Sequence, residues 1–403
     1  MAQNGGGLVL DMTALHAVRE FDRYRGTVVV DAGCSLAQLV RLTVPEGWFL
    51  PVTPGTRHVT VGGAIACDVH GKNHHRDGSF GQYVRSLTLL TPDGDARRLD
   101  ARTTPDDFWA TVGGLGLTGV IVEATLTLAR IETTTMRVDV ERAADIEDAF
   151  ARLASTDHLY HYSVAWLDCR ARGKHLGRSV LMRGDHATLS ELPSRSRRGA
   201  LDPGGGHALP VPEWASVAPL LRGPVGDAFN ELHFRRARPQ RSAFQSLDAF
   251  FYPLDALRDW NRLYGSAGFL QYQFAVPFGC ENDVVKIVRL LGSTRPAPTL
   301  AVMKRFGAES GPLSFPLPGW TLALDLPVAG AELGRALDRA DEIVASAGGR
   351  VYLAKDAVLR AERLAAMYPR LSEWREAQAR LDSAGRMQGD LARRLRVTGR
   401  GGS

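Results

Sequence analysis

Two spacings of apolar residues alternate along the chain. In GTVVVDAGCSLAQLVRLTVPEGW, Gly26 to Trp48, the β-branched run Val28–Val30 predicts a strand and Gly33 a turn. Ser35 then stands as the cap of a helix with Leu36, Leu39, Val40 and Leu42 on one side. VRSLTLLTPDGDARRL predicts a hairpin turning at Pro92-Asp93-Gly94. The alternation in GVIVEATLTLAR, Gly119 to Arg130, predicts a long strand, and Val59-Thr60-Val61 reads as a short β-like piece. Beyond Ile131 the mixture continues, interrupted by a glycine-, proline- and arginine-rich stretch from Ser194 to Trp214, expected to be a flexible loop without a packed core. SAFQSLDAFFYPLD and FLQYQFAVPF read as aromatic-rich strands and WTLALDLPV as another. From Asp356 to about Leu395 the pattern is helical, with breaks near Pro369 and Gly385.

The chain has 403 residues, so two domains are expected at about 100–200 residues each. With 44% hydrophobic and 23% charged residues it belongs to the ordinary globular class. No apolar run reaches the roughly 18 residues of a membrane span. MAQNGGGLVL lacks the basic start and apolar run of a signal peptide, so a cytoplasmic protein is expected. Cys34, Cys67, Cys169 and Cys280 form no CxxC pair, which argues against a structural zinc site or a disulfide framework. The net charge of +5 is modest for this length and gives no reason to expect a nucleic-acid partner.

Candidate chemistry concentrates in GGAIACDVHGKNHHRDGSFG, Gly62 to Gly81. Asp68, His70, His74 and His75 can be read as metal ligands, and His70 and His74 have HxxxH spacing. Gly71 and the surrounding glycines disfavour the helix that such a site uses. A glycine-rich structural loop is a second reading. A third is a cofactor wall: Pro54-Gly55-Thr56 is a turn, and Gly62-Gly63 can direct bare N–H groups at a diphosphate. Ala64 and Ala66 keep that wall thin, and His70-Gly71 brings the chain back.

The ordered run PGTRHVTVGGAIACDVHGKNHH resembles the flavin-binding core of the vanillyl-alcohol-oxidase-like (PCMH-type) FAD oxidoreductases. AQNGGGLVLDM, FWATVGGLGLTG, WNRLYGSAGFLQYQF, PLSFPLPGW, GGRVYLAKD and DLARRL extend the resemblance nearly end to end, towards the decaprenylphosphoryl-ribose oxidases within that family. The resemblance implies an α+β, two-domain fold. It would have an FAD domain at 1–130, a substrate domain at 131–349 built on antiparallel sheet, and a segment at 350–403 returning to the FAD domain. It implies non-covalent FAD held by Pro54, Gly55, Thr56, Val59, Thr60, Gly62, Gly63, Ala64, Ala66, Cys67, His70, Gly71, Gly116, Ile121 and Tyr352.

The family's essential lysine falls on Lys355. Alone, that residue also reads as a surface lysine at a helix start, although the positive end of a helix is a poor place for a cation. The implied substrate pocket falls on His233, Gln271, Gln273, Lys304, Thr321 and Ala323. Gln271 and Gln273 share one strand face, with Tyr272 on the other; a half-exposed edge strand is the plainer alternative. Relatives carry cysteine at Ala323, tryptophan and asparagine at the positions taken by His233 and Thr321, and asparagine at Leu115.

The resemblance also implies a strand–helix–strand unit and a GRGLGRSYGD-type diphosphate loop ahead of Met1, so an incomplete FAD subdomain is expected here. The activity implied is oxidation of the ribose 2-hydroxyl of a polyprenyl-phosphoryl sugar, for cell-wall arabinan. A separate NAD-dependent reductase and a peripheral membrane contact through nearby arginines go with it. The alternatives are an aldonolactone or sugar-alcohol oxidase of the same superfamily and a non-catalytic remnant.

Overall fold

The computed structural model describes residues 3–204, 208–211, 223–328 and 330–399. Ser35 caps the helix Leu36–Thr43 with a full capping box: its hydroxyl accepts from the Gln38 N–H, and the Gln38 side chain accepts from the Ser35 N–H at 2.8 Å. Leu36, Leu39 and Val40 are buried, but Leu42 lies off that face and is 40% exposed. Among the described residues this region builds a five-stranded antiparallel sheet in the order Val18–Asp22, Thr27–Asp31, Val120–Thr127, Val84–Leu90, Ala96–Leu99. The expected hairpin is its edge, with Leu87 opposite Leu99.

The expected β-like piece at Val59–Val61 is not a strand. Thr60 makes one bridge to Ser35 and then caps the helix Val61–Ala66 by accepting the Gly63 N–H. A side-chain cap outweighs the low helix propensity of the two glycines. In SAFQSLDAFFYPLD, likewise, only Gln240–Ser246 is strand. Ser246 caps the helix Leu247–Phe251, whose Leu247, Phe250 and Phe251 are buried.

The second sheet has eight strands among the described residues, all antiparallel. Their order is Gln240–Ser246, Thr135–Ala143, Ser179–His186, Tyr162–Leu167, Leu300–Phe306, Gly319–Pro327, Phe269–Pro277, Arg350–Val351. Phe269–Pro277 is flanked on both sides at Phe274 and Ala275, while its half-buried Phe269–Gln271 end pairs, among the described residues, with Gly319–Pro327 alone. One face, with Tyr272, Phe274, Met303, Leu322 and Leu324, packs in a single apolar cluster with the helices Ile146–Thr156, Glu281–Gly292 and Gly330–Ser346. Period-2 alternation sends Gln271, Gln273, Lys304, Thr321, Ala323 and Asp325 to the other face.

The C-terminal helices Ala361–Met367, Leu371–Leu381 and Asp390–Leu395 break where expected. Fully buried Trp374 donates its indole N–H to Ala110 O at 2.9 Å, and Gln378 donates to Leu117 O at 3.1 Å. These two bonds tie the end of the chain back to the first sheet's surroundings. Of the 194–214 stretch, Ser194–Arg197 is one helical turn, and Leu209–Pro210 pairs in parallel with Leu257–Arg258. Residues 205–207 and 212–214 lie outside the described residues.

Candidate functional site

The free face of the eight-stranded sheet meets the Gly62–Gly81 run, and the site lies at that junction. Gly62 donates its N–H to Ala32 O at 2.7 Å, and Gly63 donates to the Thr60 hydroxyl at 3.2 Å. Both N–H groups are engaged inside the chain, so the expectation that they point at a diphosphate is corrected. The pair serves packing instead: a Cβ on Gly62 would sit 3.0 Å from the Ala32 Cβ. Asp68 holds the following turn at φ 39°, accepting the Gly81 N–H at 2.9 Å and the Ser310 hydroxyl at 2.7 Å. The loop carrying Leu115 docks on this helix through Leu115 N–H to Ala66 O. Beside it Gly116 faces open space, and its φ of 75° is the left-handed conformation that favours glycine.

The histidines have separate jobs. His74 accepts the Gly307 N–H at Nδ1 (3.0 Å), which leaves Nε2 to donate to Ser79 Oγ at 3.1 Å. Burial drops its pKa to about 3. His75 Nε2 lies 3.2 Å from Tyr160 O. His70 sits in an aromatic box of Phe306, Phe315 and Tyr352, with ring centroids 4.9, 5.7 and 5.2 Å away. Its Nε2 is 3.0 Å from Gln273 Nε2 and accepts from that amide. The imidazole proton is then on Nδ1, which is buried without a partner. Burial first, then the cations Lys304 and Lys355, hold His70 neutral.

Gln273 also donates to Thr321 Oγ1 at 3.1 Å, while its Oε1 is buried and unpartnered. Lys304 donates to Gly71 O at 3.3 Å and joins the sheet to the loop. Its pKa is pushed down by burial and then by Lys355 and Lys72. Lys355 is part-buried in the turn Leu353–Lys355, not displayed on the surface. Burial lowers its pKa and the charge of Asp325 opposes that. Asp325 accepts from Gln271 Nε2 at 2.8 Å, and burial raises its pKa. Ala323 is the half-open position in an otherwise buried stretch of strand from Thr321 to Asp325.

Other expected residues are placed differently. Ile121 is 7% exposed within the first sheet's core. His233 is on the exposed helix Pro224–Arg236, and its ring packs on Trp166 at 4.4 Å. Trp166 pairs with Val302, itself opposite Ala323, so the indole stands between His233 and the other site residues. Cys67 O accepts from the Tyr352 hydroxyl at 2.7 Å. Val59 O accepts the Leu36 N–H, and Thr56 Oγ1 accepts the His58 N–H. Pro54 and Gly55 line the preceding turn, where a Gly55 side chain would meet nothing.

Residues 1–100 match the FAD binding domain family. The chain is 42% identical to decaprenylphosphoryl-beta-D-ribose oxidase of Mycolicibacterium smegmatis, over 98% of this chain and 86% of that protein. This chain belongs to that FAD-binding oxidoreductase family. It is also 42% identical to an uncharacterised protein of Streptomyces coelicolor, over 90% of this chain and 99% of that one. Alditol oxidase of a Streptomyces species matches at 32% over only 30% of the chain. The protein is an FAD-dependent oxidoreductase with a PCMH-type α+β fold.

The residues present fit such a group. A buried Nδ1–H on His70 and a buried amide oxygen on Gln273 both lack partners, beside cations suited to an anionic flavin or substrate. Members of the constellation that were not expected are Asp325, Lys72, Trp166 and the box residues Phe306 and Phe315. Asp325 was within reach of the period-2 rule, two residues beyond Ala323. Lys72 directly follows the His70-Gly71 step. Nothing in the local pattern of Tyr162–Leu167 distinguishes Trp166.

Proposed function

We propose that this FAD-dependent oxidoreductase oxidises the 2-hydroxyl of a polyprenyl-phosphoryl ribose to the 2-keto sugar. This is the first half of an epimerisation to arabinose for cell-wall arabinan, completed by a separate NAD-dependent reductase. The observation that carries the reading is the gathering of two amides, a carboxyl and Lys304 on one sheet face opposite His70, with Lys355 beside them in the adjoining turn. Amides and carboxyl suit a polyol, and the lysines suit a phosphate.

When bound, FAD supplies the two-electron acceptor for the carbinol hydrogen. Lys355 orients the reacting hydroxyl and stabilises charge that develops beside it, with Asp325 favouring its protonated form. Gln271 and Gln273 fix the sugar, and Lys304 meets the phosphate. His70, held neutral, offers Nδ1–H as a donor. Thr321 orients the Gln273 amide, and Ala323 leaves space where a larger side chain would stand.

The reading keeps an FAD domain at 1–130 with 350–403 and a substrate domain at 131–349. It also keeps non-covalent FAD and a lipid-linked substrate met at a membrane surface. Among the described residues no helix is long and apolar enough to cross a membrane. Anaerobic reduction of the FAD-loaded protein tests the reading directly. Polyprenyl-phosphoryl ribose should bleach the flavin faster than aldonolactones or alditols, and the reverse order would overturn the substrate assignment.

A further inference from the structure

The helix Pro224–Arg236 presents apolar side chains to water. Its inward side carries Gly226, Asn230 and Phe234. On the opposite side, at i, i+4 and i+7, Val225, Phe229 and Leu232 are 52%, 57% and 48% exposed. A surface helix of a water-soluble domain normally turns such a stripe inward. Lone exposed apolar residues are commonplace, whereas three aligned along one helix form a patch. Arg236 continues the stripe by one turn, with Arg235 and Arg238 beside it, all exposed. The helix's acids are turned aside: Asp227 pairs with Arg170 at 2.6 Å and Glu231 with Arg178 at 2.5 Å.

We propose that this helix lies in the interface of a membrane containing anionic lipid, with Val225, Phe229 and Leu232 below the headgroups and Arg236 and Arg238 at their phosphates. The inference rests on the reading of a lipid-linked substrate. Two observations favour a lipid surface over a second protein copy. The cations cap the apolar stripe in the arrangement that anionic headgroups attract. His233, the residue after Leu232, packs on Trp166, whose strand partner Val302 stands opposite Ala323 in the site. The stripe and the substrate face are thus linked through one ring contact. A polyprenyl tail can stay in the bilayer while its sugar reaches Gln273.

The test is cosedimentation of the full-length, FAD-loaded protein with vesicles of phosphatidylglycerol and phosphatidylcholine in equal parts. Wild type should bind, and more weakly at high salt. Phe229→Asp with Leu232→Asp should lower binding about tenfold or more, because two apolar side chains leave the interface. Arg236→Gln with Arg238→Gln should lower both binding and its salt dependence. Phe229→Ala with Leu232→Ala provides the same comparison without new charge, should the aspartates impair folding. Absence of wild-type binding would overturn the proposal, as would equal binding by both apolar-stripe variants. Conversion of a wild-type dimer to a monomer by those variants would also overturn it, marking a subunit interface. Reduction by a short-chain, detergent-dissolved substrate separates the two readings. Its failure in a wild type that still binds vesicles counts against the substrate assignment alone.

Discussion

Gln273 spends its amide N–H groups on His70 and Thr321 and leaves Oε1 buried without a partner. An unmet buried polar atom costs about 1–3 kcal/mol, so His70 Nδ1–H and Gln273 Oε1 together mark where a ligand completes the structure. One lacks an acceptor and the other a donor, and a hydroxyl-bearing ligand carries both complements. Lys355 is the cation of this group whose charge Asp325 supports. Lys355→Ala should therefore retain FAD, read from the bound flavin's absorbance, yet slow flavin reduction by substrate roughly a hundredfold or more. Near-normal anaerobic reduction would remove Lys355 from the chemistry. The alternation that put Gln271 and Gln273 on one face was legible, and their partners His70 and Asp325 lie on that same side. The roles of Gly62 and Gly63 were not, because their acceptors are Ala32 O, a long way back in the chain, and a cap hydroxyl.

At the scale of elements, the Phe269–Pro277 strand is held from behind. Tyr272 points away from the site and donates its hydroxyl to Asp341 of the helix Gly330–Ser346 at 2.8 Å. Burial, and then the nearby Asp356, lift the Asp341 pKa to about 7, against the bond from Tyr272 that lowers it. The folded protein then holds a proton that the unfolded chain has released. This group's contribution accordingly favours the folded state most at low pH and is lost as pH rises from about 4 to about 7. Asp341→Asn cannot ionise, so its melting temperature should fall less than that of wild type between pH 5 and pH 8. Parallel curves for the two proteins would show that Asp341 does not titrate in this window. Elements with strong local signals were readable, such as the capped helix Leu36–Thr43 and the hairpin at Pro92-Asp93-Gly94. The errors at Val61 and at Asp248–Phe251 share a cause. Thr60 and Ser246 act as caps, and a single side-chain hydrogen bond turns a strand-like run into a short helix.

Across the whole molecule, the free face of the eight-stranded sheet and the Gly62–Gly81 run meet around a cluster of lysines: Lys72, Lys304 and Lys355, about a neutral His70. Such a site attracts a phosphorylated substrate and opposes its own protonation. Lys72 shows the balance best. Its Nζ donates to Phe251 O at 3.3 Å above the rings of Phe250 and Phe251, and burial brings its pKa down to about 8. Because the folded pKa lies below the unfolded value, the buried charge weighs against folding below about pH 8. That penalty fades as pH rises towards the unfolded pKa of about 10.4. Affinity for an anionic substrate runs the other way, since the cation disappears over the same interval. Between pH 7.5 and pH 9.5 the KM for polyprenyl-phosphoryl ribose should therefore rise, by up to about tenfold per pH unit once Lys72 has lost its proton. Lys72→Met fills the same space beside the two rings without a charge. It should show a higher KM at neutral pH and a flatter KM profile, with kcat changed much less. A KM in the variant that climbs as steeply as in wild type would assign the titration to Lys304 or Lys355 instead.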